Sequence, residues 1–111
     1  MELITEHREH VTIIRVIGQL WERNDIRALA SEIEAVRAGG MKRIALDLER
    51  LTFVNSIGLG ALVKTFAECA AAGDELILVR PTGSVLETMM ISDFPRFIRI
   101  VESCEELSDL E

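Results

Sequence analysis

The residue types best suited to chemistry stand together in the run Val54-Asn55-Ser56-Ile57-Gly58-Leu59-Gly60. A serine hydroxyl can attack a substrate or accept a phosphoryl group, and the two roles ask for different neighbours. The nucleophile elbow G-x-S-x-G needs glycine two residues before the serine, where this chain has Val54. A nucleophile also needs a base. The only histidines, His7 and His10, fall in a predicted turn near the N-terminus, with nothing in their spacing that brings them to Ser56. Ser-His catalysis is therefore not expected, and the chain is read as a non-enzyme. His7-x-x-His10 has Arg8 between its members and no third Cys or His nearby, so no metal site is expected. Gly58-Leu59-Gly60 matches part of a dinucleotide fingerprint, but the third glycine and the following acidic residue are missing, and no G-K-[ST] follows. No cofactor is expected.

What remains is a helix start of unusual composition. Asn55 serves as N-cap, Ser56 stands at or near the first helical position, and Gly58 and Gly60 strip side chains from the first turn. Each helical glycine costs roughly 1 kcal/mol relative to alanine, so something must compensate. One reading is purely structural: the glycines let the helix approach its strand closely, and Asn-Ser caps it. The other is a smooth docking surface around an exposed hydroxyl.

The elements that must position this helix start read as an alternation of strands and helices. Leu3 to Glu6 and Val11 to Ile17 form an antiparallel hairpin across a turn at His7 to His10, and Gly18 closes the second strand. Either Asn24 or Asp25 caps a helix whose face is Ile26, Leu29, Ile33 and Val36, stopped by Gly39-Gly40. Arg43 to Leu48 is a buried strand, and Leu48 to Val54 delivers the chain to the second helix. That helix buries Leu59, Leu62, Val63, Phe66 and Ala70 and ends at Gly73, before the strand Glu75 to Val79. Pro81 and Thr82 open a third helix carrying Val85, Leu86 and Met89. A strand over Phe97 to Val101 and an acidic helix over Glu102 to Leu110 complete the chain. The fold class is α/β, a mixed sheet whose parallel strands are joined by right-handed crossovers after an N-terminal β-hairpin.

At 111 residues the chain has the size of one domain spanning 1–111, able to bury a core without disulfides or metals. Hydrophobic residues at 49% and charged residues at 28% place it among globular chains. The apolar run Ile57 to Val63 is too short to cross a bilayer, and Glu2 and Glu6 spoil a signal-peptide reading, so a cytoplasmic protein is expected. A net charge of −7 opposes approach to nucleic acid and to anionic membranes, which leaves a protein or a small molecule as the expected partner. Cys69 on a helix face and Cys104 near the C-terminus, with no CxxC, read as reduced thiols.

The stretch Leu46 to Val63, LDLERLTFVNSIGLGALV, resembles the signature of the STAS domain, shared by bacterial anti-sigma factor antagonists and the cytoplasmic tails of sulfate transporters. Length, element order and a G-x-L turn at Gly18 to Leu20 agree, so the resemblance covers essentially the whole chain. In that family the strand-to-helix segment typically reads D-S-x-G-L. Its serine is phosphorylated by a partner anti-sigma factor that is a serine kinase, and a PP2C-type phosphatase reverses this. The matching residue is Ser56. Asn55 replaces the usual aspartate, keeping the capping acceptor but losing a charge, and Ile57 stands where many members have a second serine or threonine.

The resemblance implies an anti-sigma factor antagonist that switches partners under phosphorylation of Ser56, with Asn55, Ser56, Ile57, Gly58, Leu59 and Trp21 meeting the partner. Trp21 stands where the family often carries an aspartate after G-x-L. A lone tryptophan there is an interface anchor or a lid on the core, and large apolar side chains usually find cover. The alternative is a constitutive STAS scaffold or subunit of a transport or signalling complex, in which Ser56 is never modified.

Overall fold

The computed structural model describes residues 1–110, with side chains through Leu107; Glu111, the last residue of the expected 1–111 domain, lies outside it. The strands are β1 (Glu2–His7), β2 (Thr12–Leu20), β3 (Arg43–Asp47), β4 (Leu51–Val54), β5 (Glu75–Val79) and β6 (Arg99–Val101). The helices are α1 (Arg23–Ala38), α2 (Ser56–Ala71) and α3 (Gly83–Ile91), with short 3-10 segments at Phe94–Arg96 and Cys104–Leu110. They build one mixed sheet in the order β1-β2-β3-β5-β6, with β4 attached to β2 off that path. β1 runs antiparallel to β2, and every other pairing is parallel. This is the expected α/β architecture.

The central strands are covered on both faces, which is why they read as unbroken apolar runs such as Ile44-Ala45-Leu46 and Leu76-Ile77-Leu78-Val79. Successive side chains point to opposite faces. Ile14, Ile44, Leu46, Leu76 and Leu78 meet Leu29, Ile33, Leu62, Val85 and Met89 of the helices. Ile13, Ala45, Ile77 and Val101 line the other face, where Leu107 of the last 3-10 segment packs.

Several local expectations are corrected. β2 does not stop at Gly18, and Gly18 to Leu20 is not a turn: the strand continues to Leu20 and trades β3 for β4 across a bulge between Gly18 and Gln19. Gly18 adopts φ +108 there, a left-handed conformation that glycine reaches without strain. The connecting stretch before Asn55 thus contains a true strand, β4. α1 begins at Arg23, ahead of the expected caps; Glu22 is the N-cap, with no side-chain cap bond, and Asp25 lies in the first turn, where its charge favours the helix dipole. α2 buries Gly58, Leu59, Leu62 and Cys69, while Val63 and Ala70 of the expected apolar face are exposed.

α3 starts at Gly83, with Thr82 as N-cap, and Leu86 is exposed while Val85 and Met89 are buried. Phe97 is not in the last strand: it closes the turn Phe94–Arg96, whose Phe94 is buried, and is itself exposed. The final segment is 3-10 rather than α-helical over Cys104–Leu110, and the Glu106 carboxylate accepts from the backbone N–H groups of Glu102 (2.7 Å) and Ser103 (3.0 Å) at its start. Among the described residues no helix is long and apolar enough to cross a membrane.

Candidate functional site

The head of α2 sits in a corner between the end of β2 and β4. Gly18 N–H donates to the Arg50 carbonyl at 3.1 Å, and the Thr52 hydroxyl donates to the Gly18 carbonyl at 2.9 Å, fixing β4 beside β2. β4 then delivers Asn55 in extended conformation, with φ −104 and ψ −177, the usual backbone of an N-cap. The Asn55 side-chain oxygen accepts the Gly58 N–H at 2.9 Å, and the Asn55 carbonyl accepts the first helical bond from Leu59 N–H, also 2.9 Å.

The two glycines do different work. A Cβ on Gly58 would collide with the Leu20 carbonyl oxygen and lie 2.8 Å from a Val54 methyl, so this glycine is the close approach of helix to strands. Gly60 faces open space. Gly58 and Leu59, expected at the partner surface, are buried and hold the helix in place; Leu59 packs in the main core.

Ser56 is exposed at the first position of α2, and Asn55 is half-buried. At a helix start the N–H groups of Ser56 and Ile57 have no acceptor within the helix, and the dipole places partial positive charge there. The sequence reinforces this: residues 50–67 contain Arg50 and Lys64 and no acid, within a chain of net charge −7. Ile57 is 62% exposed, Phe53 42% and Trp21 44%. The reading of Trp21 as a lid on the core is therefore corrected: one residue beyond the buried Leu20, it is exposed. Phe53 carries no signal in the sequence, where Leu48 to Val54 reads as a connection; as a strand that pairs with β2, β4 leaves Phe53 exposed.

The histidines are far from this corner. His7 ends β1, with its Nδ1 3.0 Å from the Thr12 hydroxyl, and His10 precedes β2. The run of β2 separates them from Ser56, about 26 Å at 3.3 Å per residue. An open groove of about 620 Å³, lined by His10, Lys42, Arg43 and Glu75 among others, lies at that opposite end of the sheet. Among the described residues no cluster of three or more His, Cys, Asp or Glu side chains is arranged to hold a metal ion. Cys69 is buried within α2 and Cys104 is half-buried, both as free thiols, and burial pushes both thiol pKa values up.

The sequence matches the family model of the STAS domain over residues 2–107. The fold is similar to that of the anti-sigma factor antagonist SpoIIAA in its unphosphorylated form, with TM-score 0.73 and 23% identity over 96% of this chain and 94% of that one. It is also similar to the phosphorylated form of SpoIIAA, described as a Bacillus cell fate determinant, with TM-score 0.75 and 20% identity over 99% and 100% of the two chains. An anti-sigma factor antagonist from Mycobacterium paratuberculosis superimposes with TM-score 0.81 and 19% identity over 95% of this chain and 88% of that one. With a family match over nearly its whole length and a fold of the matching kind, the chain belongs to the STAS domain family.

Proposed function

We propose that the chain is an anti-sigma factor antagonist that docks through the head of α2 onto an anti-sigma factor with serine kinase activity, and that phosphorylation of Ser56 releases it. The observation that carries this reading is the exposed Ser56 hydroxyl at the first position of α2, in a corner that also exposes Trp21, Phe53 and Ile57. Aromatic and apolar anchors around one polar group are the usual make-up of a protein interface core.

Phosphorylation adds a charge of about −1.5 to −2, which meets the free N–H groups of Ser56 and Ile57 and the positive end of the helix dipole, so the fold tolerates it. A partner covering the same corner has to desolvate that charge, at a cost of several kcal/mol unless it supplies a cation. Binding is thus switched without unfolding. A PP2C-type phosphatase restores the unmodified form, and the chain itself needs no catalytic group.

The test is affinity capture from the native host's lysate with wild-type, Ser56→Ala and Ser56→Asp baits, identifying what each retains by mass spectrometry. A kinase-like anti-sigma factor held by the first two and lost by the third is the expected result. The same partners on all three baits would overturn the switch and leave a constitutive scaffold.

A further inference from the structure

The two faces of the sheet are covered unequally. All three helices pack on one of them, where Ile33 of α1, Leu62 of α2 and Met89 of α3 join the main core. The other face presents the apolar row Val11, Ile13, Ala45, Ile77, Val79 and Val101, each at most 5% exposed. Among the described residues, the side chains that pack on this row from beyond it are Leu107 and Cys104, both in the last 3-10 segment. A buried face spanning four strands is thus closed by one short piece of chain.

That piece is held lightly. A 3-10 helix has poorer hydrogen-bond geometry than an α-helix, and the bonds that shape its start join it to itself. The Glu106 carboxylate accepts from the N–H groups of Glu102 and Ser103, and the Ser103 carbonyl and hydroxyl accept from Glu106 N–H and Glu105 N–H, both at 3.2 Å. Residues 102–107 carry Glu102, Glu105 and Glu106 and no base, so the net charge of −7 works against their docking. Arg8 feels the charge of Glu105, yet its guanidinium is already bonded to Glu6 at 2.6 Å. The apolar grip on the sheet is one buried leucine and one half-buried cysteine. Few apolar contacts and self-contained bonds mark a segment that opens well before the fold does.

We propose that residues 102–107 form a detachable strap, which lifts from the sheet as a unit and uncovers the apolar row while the strands and the three helices stay folded. Leu107 is its latch. The strap lies on the face opposite α2 and does not depend on the function proposed above.

Two buried thiols in one molecule test this. Cys69 is buried on the helix side, and Ala45→Cys or Val79→Cys places a second thiol beneath the strap, in a Cys104→Ser background that leaves no other. Val79→Cys removes volume rather than adding it, so it serves even where Ala45→Cys strains the packing. Iodoacetamide labelling in native buffer, followed by mass spectrometry, reads both thiols at once. The thiol beneath the strap is expected to react roughly tenfold or more faster than Cys69. Adding Leu107→Ala should speed it by at least about tenfold again. Gly58→Ala, which loosens the helix side, should speed Cys69 and leave the strap-covered thiol unchanged. Equal rates for the two thiols, rising together in Gly58→Ala, would mean that the face opens only with the whole fold and would overturn the proposal.

Discussion

The carbonyl oxygen of Leu20 occupies the space that a Cβ on Gly58 would need, so the last residue of β2 and the first turn of α2 touch backbone to backbone. Ser56 stands two residues before this contact, and its position is set by it.

That relationship makes the two glycines of the turn opposite in sign. Gly58→Ala is expected to destabilise the fold by about 1–3 kcal/mol, because a backbone carbonyl cannot move aside as a flexible side chain can. Gly60→Ala, with nothing within 4 Å of the added methyl, is expected to stabilise by about 0.5–1 kcal/mol through helix propensity. Urea unfolding of both variants checks the pair, and equal effects would contradict the described helix approach.

Asn55 contributes an acceptor and no charge. Asn55→Ala leaves the Gly58 N–H without its cap and is expected to cost about 1 kcal/mol. Asn55→Asp keeps the acceptor and sets a negative charge against the helix dipole, for a gain of about 0.3–1 kcal/mol at neutral pH and low salt. Denaturation midpoints of the three proteins should rank Asp, Asn, Ala.

Glu6 accepts from Arg8 Nε at 2.6 Å and from Arg15 at 2.9 Å, and these bonds hold its carboxyl below the usual glutamate range. A folded-state pKa below the unfolded one stabilises above the unfolded value, and that contribution is lost as pH falls through the folded value. Glu6→Gln should therefore be less stable than wild type at neutral pH, and the gap should close as the pH drops below about 4. Thermal scans from pH 7 to pH 3 measure it; a gap that widens in acid would reverse the assignment.

The thiols should separate by access. Cys104 is half-buried at the start of the last 3-10 segment, whereas Cys69 is fully buried in the core. Burial raises both pKa values, so alkylation near neutral pH is expected to be slow, with Cys104 reacting first and accelerating as pH rises. Cys69 should react only at the rate of unfolding, which mass spectrometry of a timed iodoacetamide series resolves.

The element order was legible because each helix keeps its own apolar period and the buried strands are short, unbroken runs such as Ile44-Ala45-Leu46. The cap and the glycines at the head of α2 were legible for a local reason: they act within a few residues of one another. β4 was not, because only Leu51 and Val54 of its four residues are buried and Thr52-Phe53 face outward, which matches neither a buried nor an alternating pattern. Its pairing depends on the bulge at Gly18, a contact distant in sequence. The exposure of Phe53 follows from that same pairing, so Phe53 was hidden with it, whereas Trp21 stands out in the sequence itself. The 3-10 form of the last segment was hidden for another reason, since its short acidic run has the composition of an α-helix.

The hand-over of β2 from β3 to β4 has a mechanical consequence. Beyond Gly18 the strand leaves the five-strand sheet and forms a two-strand bracket that carries the head of α2. The head of α2 touches this bracket at Gly58, while Leu59 and Leu62 tie the same helix to the central strands, so Ser56 is held from two sides. Trp21, Phe53 and Ile57 are exposed while Leu20, Val54 and Leu59 beside them are buried, so the surface of the bracket can be repainted without disturbing the frame behind it.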